Sequence, residues 1–275
     1  MYPAIFSRTY PVKSAAEVFH AIKRGGYGGV QMNLSSLGLE SVPTNLPGGV
    51  AEQAGVYARA SGVKIAALSG TYNMAHPDPA YRLEMRPRFS NVLLAAERME
   101  APVVSLCTGS RNVHNMWEVH PDNATTAAYS DLRRELDWAL AAAEKHGLAL
   151  AIEPEPGNVI RDAQVARRLL DEVRSPRLKI ILDAANLLSP SQLAQQKEIM
   201  AEATDLLGAD TVLAHAKDFD AGGKVVSPTT GVIDLQWFVK MLSRVGYDGA
   251  LIGHGFEEAA TASSAAALAR LCQGE

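Results

Sequence analysis

The chain has 275 residues, 47% of them hydrophobic and 20% charged, with two cysteines and a net charge of −4. That is enough chain for one large domain with a good core, and without a basic run it gives nucleic acid little to bind. No run of about 18 apolar residues suggests a membrane span, and no opening stretch reads as a signal peptide, so Cys107 and Cys272 are expected to be reduced thiols of a cytoplasmic protein.

Taken in order, residues 3–7 form a short apolar strand, and Ser14-Ala15-Ala16-Glu17 has the form of a capping box opening a helix to Arg24. Residues 29–33 make the second strand, 37–45 a loop, and 50–60 a helix stopped by Gly62. The third strand, 63–68, exits into Ser69-Gly70-Thr71-Tyr72-Asn73, where Tyr72 and Asn73 are candidate polar liners. A helical pattern follows over 79–99, then a fourth strand at 102–106 and a loop over 111–123. Asn123 is expected to cap a helix over 124–145 that Gly147 closes. The fifth strand is 148–152, with a helix from Asp162 to before Pro176. The sixth is 179–183, with a helix from Ser191 to about Gly208; the seventh is 211–216, with a helix capped by Asp234. The eighth is 250–253, and a last helix runs from about Glu257 to Cys272. Eight strands alternating with eight helices and no linker predict a single α/β domain over 1–275, a (β/α)8 TIM barrel with its chemistry at the C-terminal strand ends. A doubly wound dinucleotide fold is disfavoured because no GxGxxG follows any strand.

The last four strands end alike. LALAIEPEPGN stops at Glu153, KIILDAAN at Asp183, TVLAHAKD at His215 and ALIGHG at His254, spaced 30, 32 and 39 residues apart, each about one βα unit. A carboxylate at the end of a buried strand is costly unless something binds or uses it, and Pro154 and Pro156 force the fifth strand to end there. Singly, Asp183 reads equally well as a turn or cap residue, and His254 between two glycines as a loop residue. Together at one barrel mouth, two carboxylates and two imidazoles suit one divalent ion, Mn, Co, Zn or Mg. Such an ion would acidify a C–H beside a substrate carbonyl, and a general base would move the proton.

Other polar residues share these strand ends. Glu155, two residues after Glu153, and Lys217, two after His215, would point into the mouth of an extended strand end; a solvated carboxylate and a salt-bridged lysine are the plainer readings. Asn186 suits a sugar hydroxyl or a turn. In the 111–123 loop, Arg111 and His114 are expected to touch substrate, and Trp117 to stack on a sugar or pack on the rim. His76 lines the opposite wall or closes a turn beside Pro77.

The segments SGTYNMAHPD (69–78), CTGSRNVHNMWEVHPDN (107–123), AIEPEPGN (151–158), LDAANLL (182–188), HAKD (215–218) and GYDGALIGHG (246–255) resemble the xylose-isomerase-like TIM-barrel superfamily of sugar isomerases and epimerases, which also includes endonuclease IV. The resemblance spans most of the chain. It implies one divalent metal held by Glu, Asp, His and Glu on strands five to eight, here Glu153, Asp183, His215 and the residue at 254. Two positions depart from the pattern. His254 replaces the last Glu, and Asn186 stands where a His often follows the strand-six Asp. In sugar 3-epimerases the first and last Glu exchange a proton across the substrate. A Glu153/His254 pair would be asymmetric, with carboxylate near 4.3 and imidazole near 6.5.

The expected function is therefore a metal-dependent isomerase or epimerase of a small sugar or sugar acid, working through a metal-stabilised enediolate. Glu153 would be ligand and base, His254 ligand or acid, and Lys217 an electrostatic clamp. A dehydratase or decarboxylase on a keto-sugar acid uses the same chemistry, and a non-catalytic sugar-binding protein is the alternative of another class. A DNA-repair endonuclease would need more ligands and a basic face. A homo-oligomer is compatible with the family, and no exposed apolar stripe assigns one.

Overall fold

Apolar runs of four to six residues become parallel strands here because both faces of a barrel wall are covered. The structure, a computed structural model, describes residues 1–274; the last residue of the expected single domain, Glu275, lies outside them. In chain order the strands are β1 (Tyr2–Phe6), β2 (Gly29–Met32), β3 (Lys64–Ser69), β4 (Val103–Cys107), β5 (Ala149–Glu153), β6 (Leu178–Asp183) and β7 (Thr211–His215). A short antiparallel hairpin, β8 (Asp218–Phe219) with β9 (Val225–Val226), precedes the last barrel strand, β10 (Ala250–Gly253). The barrel closes in the order β1-β10-β7-β6-β5-β4-β3-β2, as the sequence led us to expect. The outer ring comprises α1 (Ala15–Arg24), α2 (Val50–Ser61), α3 (Pro79–Arg98), α4 (Thr126–Glu144), α5 (Ala163–Val173), α6 (Gln196–Leu207), α7 (Leu235–Arg244) and α8 (Thr261–Gln273). None of these helices is long and apolar enough to cross a membrane.

Side chains alternate across each strand, and that parity positions the site. Ala4, Ala151, Ile181, Leu213 and Ile252 belong to one small buried cluster, while a larger one, with Phe19, Phe89 and Phe238, packs helices on the sheet. Two residues on from Ala151, Ile181, Leu213 and Ile252 stand Glu153, Asp183, His215 and His254. They continue the same inward face at the C-terminal rim.

Three local expectations are corrected. Asn123 does not cap α4: Thr125 does, its Oγ1 accepting from Ala128 N at 3.2 Å, because a 3-10 turn over Pro121–Ala124 moves the helix start onward. α6 begins at Gln196 rather than Ser191, after a 3-10 turn over Pro190–Gln195. The hairpin β8–β9 was not foreseen. It depends on Asp218, whose carboxylate accepts from the backbone N–H groups of Phe219, Gly231 and Ile233 and so folds the β7–α7 connection over the rim.

Candidate functional site

Glu153, Asp183, His215 and His254 each offer one ligand atom, and these atoms lie within 4.8 Å of one another. His215 Nδ1 is 3.4 Å from Glu153 Oε1 and 3.7 Å from Asp183 Oδ2, and His254 Nε2 is 3.4 Å from the same Asp183 oxygen. Asp183 Oδ2, His215 Nδ1 and His254 Nε2 are buried without a hydrogen-bond partner. Three converging orphaned atoms of this kind are expensive, and a shared divalent cation would satisfy all of them.

The surrounding residues fix how each ligand points. Asp183 Oδ1 accepts from Ala185 N at 2.8 Å, which leaves Oδ2 to the cluster. Asn186 Nδ2 donates to Glu153 Oε1 at 2.7 Å, and Asn186 Oδ1 accepts from Lys217 Nζ at 2.8 Å. Lys217 Nζ is also 3.0 Å from Asp183 Oδ2, an ion pair rather than a directed hydrogen bond. Glu153 Oε2 has no protein partner among the described residues.

One supporting residue escaped sequence reasoning. Gln31, on β2 and 5% exposed, donates from Nε2 to Ser105 Oγ at 3.0 Å. Its Oε1 is thereby the acceptor for His215 Nε2–H at 2.8 Å. This holds a proton on Nε2 and turns Nδ1 to the cluster, as a carbonyl partner does for metal-bound histidines. Only its inward parity, on the same face as Gly29, could have pointed to it.

The two carboxylates of the cluster set its electrostatics, and each shifts the cationic groups around it. Burial opposes a proton on His215, yet Glu153 and Asp183 outweigh it and raise His215 to about 9. Burial would also raise Asp183, but Lys217, His215 and His254 hold it well below the usual carboxylate range. Burial lowers His254, helped by the charges of His215 and Lys217. Burial works against the Lys217 ammonium, but Asp183 and Glu153 raise it. A divalent ion would take over the counter-ion role of the His215 proton and expel it on binding.

A cavity of about 430 Å³ opens onto this cluster, lined by Phe6, Arg8, Gln31, Asn33, Ser41, Ser69, Thr71, Cys107, Met116, Trp117, Glu153, Glu155, His215, Lys217 and His254. Glu155 is thus at the mouth, raised to about 7 by burial and by the charge of Glu153. Trp117 reaches the rim, 48% exposed. A groove of similar volume between the loops after β5 and β6 meets the cluster through Asn186 alone.

Other expected substrate residues are engaged elsewhere. Arg111 turns away from the mouth, donating to Ala75 O at 3.1 Å and to Asp131 Oδ2 at 2.8 Å, because Asp131 on α4 offers it a largely buried carboxylate. His114 is exposed outside the cavity lining. His76 stacks on Tyr81 with ring centroids 4.2 Å apart, and its Nδ1 accepts from Asp78 N, closing a turn. Tyr72 and Asn73 are buried behind the wall, donating to Glu135 and to the Ser110 carbonyl. Asn123 is a fastener of the 111–123 loop: its Oδ1 accepts from Arg111 N and its Nδ2 donates to Gly157 O. Gly157 is required here, since a Cβ would lie 2.1 Å from the Trp117 carbonyl oxygen.

A family model described as xylose isomerase-like TIM barrel matches residues 19–271. No curated protein matches the chain in sequence. Among solved structures, the 3-keto-D-glucoside 4-epimerase YcjR from E. coli is similar with TM-score 0.76 at 18% identity, covering 99% of this chain and 100% of that one. The IOLI protein with a bound zinc atom is similar at TM-score 0.70 and 15% identity, covering 100% and 95%. A xylose isomerase-like TIM barrel/4-hydroxyphenylpyruvate dioxygenase fusion protein is similar at TM-score 0.72 and 16% identity; the chain is covered to 98% and spans 42% of the fusion's length.

Proposed function

The chain belongs to the xylose isomerase-like TIM-barrel family, and from that premise we propose that it is a divalent-metal-dependent isomerase or epimerase of a small sugar or sugar acid. The observation that carries this reading is the convergence of three orphaned buried atoms, on Asp183, His215 and His254, beside Glu153. The epimerase and the zinc-bound neighbour support the same reaction class and the same kind of centre.

Glu153, Asp183, His215 and His254 would hold a divalent ion, which would supply the polarisation of a substrate carbonyl and its neighbouring hydroxyl that acidifies the C–H between them. Glu153 divides its two oxygens: Oε1 is held on the cluster side by Asn186, and Oε2 is left to take the substrate proton. His254 has its Nε2 turned toward Asp183, a ligand's orientation rather than an acid's. The second proton carrier is then Glu155, which lines the same cavity. Lys217, tied to Asp183 and Asn186, supplies a fixed positive charge to substrate oxygens as they become negative. Trp117 and Met116 line one side of the mouth.

The test is elemental analysis of purified wild type and His254→Ala, followed by turnover of a keto-sugar panel. About one equivalent of metal in the wild type, lost in the variant, is expected. A wild type that takes up no Mn, Co or Zn on reconstitution would sink the reading.

A further inference from the structure

Apart from Gln31, the wall of the cavity formed by the ends of β1 and β2 takes no part in the chemistry above, yet it is built with care. Phe6 is level with Gln31 in the sheet, so the chain leaving β1 through Ser7–Thr9 and the chain leaving β2 at Asn33 run side by side. Ser7 ties them together: its Oγ accepts from Asn33 N and from Ser36 Oγ, both at 2.9 Å. Asn33 is 3% exposed, and its Oδ1 accepts from Ser35 N and Ser41 Oγ, both at 2.9 Å. A backbone N–H can only donate, so the orientation of this amide is fixed and the NH2 group is the end left over. Among the described residues Asn33 Nδ2 has no protein acceptor, and Asn33 lines the cavity.

Beside it stands Arg8. It lines the same cavity, and among the described residues it makes neither a hydrogen bond nor an ion pair. Lys217 differs, being held by Asp183 and Asn186. This wall therefore offers two donor groups, an unpaired guanidinium and an amide NH2, toward whatever fills the mouth. A guanidinium presents two parallel N–H groups that match the oxygens of a carboxylate or phosphate. The charge balance agrees. With a divalent ion in place, Glu153, Glu155 and Asp183 would face that ion, Lys217 and Arg8, which leaves one net positive charge when the imidazoles are neutral and Glu155 is ionised.

We propose that Arg8 and Asn33 Nδ2 form an oxyanion subsite for the substrate end remote from the strand-end cluster, so that the substrate is a sugar acid or sugar phosphate rather than a neutral sugar. The proposal rests on the metal-centre reading for the other end of the substrate. Arg8 fixes which way round the anion enters, and thereby which carbon is presented to Glu153. Because Arg8 is exposed and stays partly hydrated, it contributes about tenfold in affinity, the low end for a charge-assisted hydrogen bond.

The experiment is titration calorimetry of the metal-loaded chain and of its Arg8→Gln variant with D-gluconate, D-glucose 6-phosphate and neutral D-glucitol, with metal content measured in both proteins. In wild type, one of the two anions should bind at least about tenfold more tightly than glucitol. Which of them does so distinguishes carboxylate from phosphate. Arg8→Gln should erase that preference while leaving metal content and glucitol affinity unchanged. An unchanged anion preference in Arg8→Gln would overturn the subsite, because the anion would then be held by the metal alone. Absence of any preference in wild type would overturn it too. Metal content keeps the two ideas apart. A metal-free wild type with an Arg8-dependent preference retains the subsite and discards the metal centre, and a metal-loaded wild type without one does the reverse.

Discussion

Replacing Gln31 by Met keeps the length of the side chain and removes both of its polar atoms. Two contacts go with it: the 2.8 Å bond that fixes the His215 proton on Nε2, and the 3.0 Å bond to Ser105 Oγ. His215 is 3% exposed, so its Nε2–H is left without water or protein to accept it. An orphaned buried donor costs about 1–3 kcal/mol, so the metal-free variant should unfold in urea with stability lower by about that amount. The ring is also freed to place its proton on Nδ1, where it blocks the lone pair a cation needs. Loss of such a partner typically weakens metal binding by about 10–100-fold. Competition with a chromophoric chelator for Zn and Co measures this directly. Gln31→Glu, which keeps an acceptor opposite Nε2, should remain within a few-fold of wild type. If Gln31→Met, still folded, binds both metals as tightly as wild type, then the orientation of His215 is set by something other than Gln31 and the reasoning fails.

Further predictions concern the loop that closes the mouth. Gly157→Ala places a methyl group 2.1 Å from the Trp117 carbonyl oxygen, a backbone atom that cannot rotate aside. It should destabilise the chain by about 1–3 kcal/mol and change tryptophan emission; unchanged melting and emission would refute the close approach. Burial alone would raise Asp131, but its hydrogen bond from Arg111 and the charge of Arg82 hold it below the ordinary carboxylate value. A depressed carboxylate contributes stability above its unfolded pKa of about 3.9 and loses it as the pH falls through the lower folded value. Proteolysis within residues 111–123 should therefore accelerate only below about pH 4 in wild type, and already at pH 7 in Asp131→Asn. Equal cleavage of the two proteins at pH 7 would show that the Arg111–Asp131 pair does not hold the loop.

The barrel was legible because each strand announces itself locally, as a largely apolar run closed by polar or turn-forming residues. The convergence of Glu153, Asp183, His215 and His254 was legible for the same reason, since all four end such runs and side-chain parity carries them inward. Gln31 was not, because a single amide inside GVQM leaves the strand pattern intact and its partners lie 74 and 184 residues away. Arg8 and Asn33 were missed because short loops carry no periodicity, and register between β1 and β2 is what makes them neighbours. Arg111 misled for the opposite reason. A guanidinium in a loop beside an active site is drawn to the nearest buried carboxylate, and Asp131 lies on a helix whose facing residues the loop sequence does not specify.

The closure of the barrel has a consequence for assembly. β10 pairs with β1 and with β7, so His254 reaches the centre only once a strand near the end of the chain has slotted between the first strand and the seventh. Until then Glu153, Asp183 and His215 form an incomplete claw on an open sheet. Ion capture at full strength would thus be a late event in folding, with the binding energy falling on the step that joins distant parts of the chain, where loop-closure entropy is greatest. On the proposed reading the ion would act as a latch on a finished ring, and its uptake would report that the ring has shut.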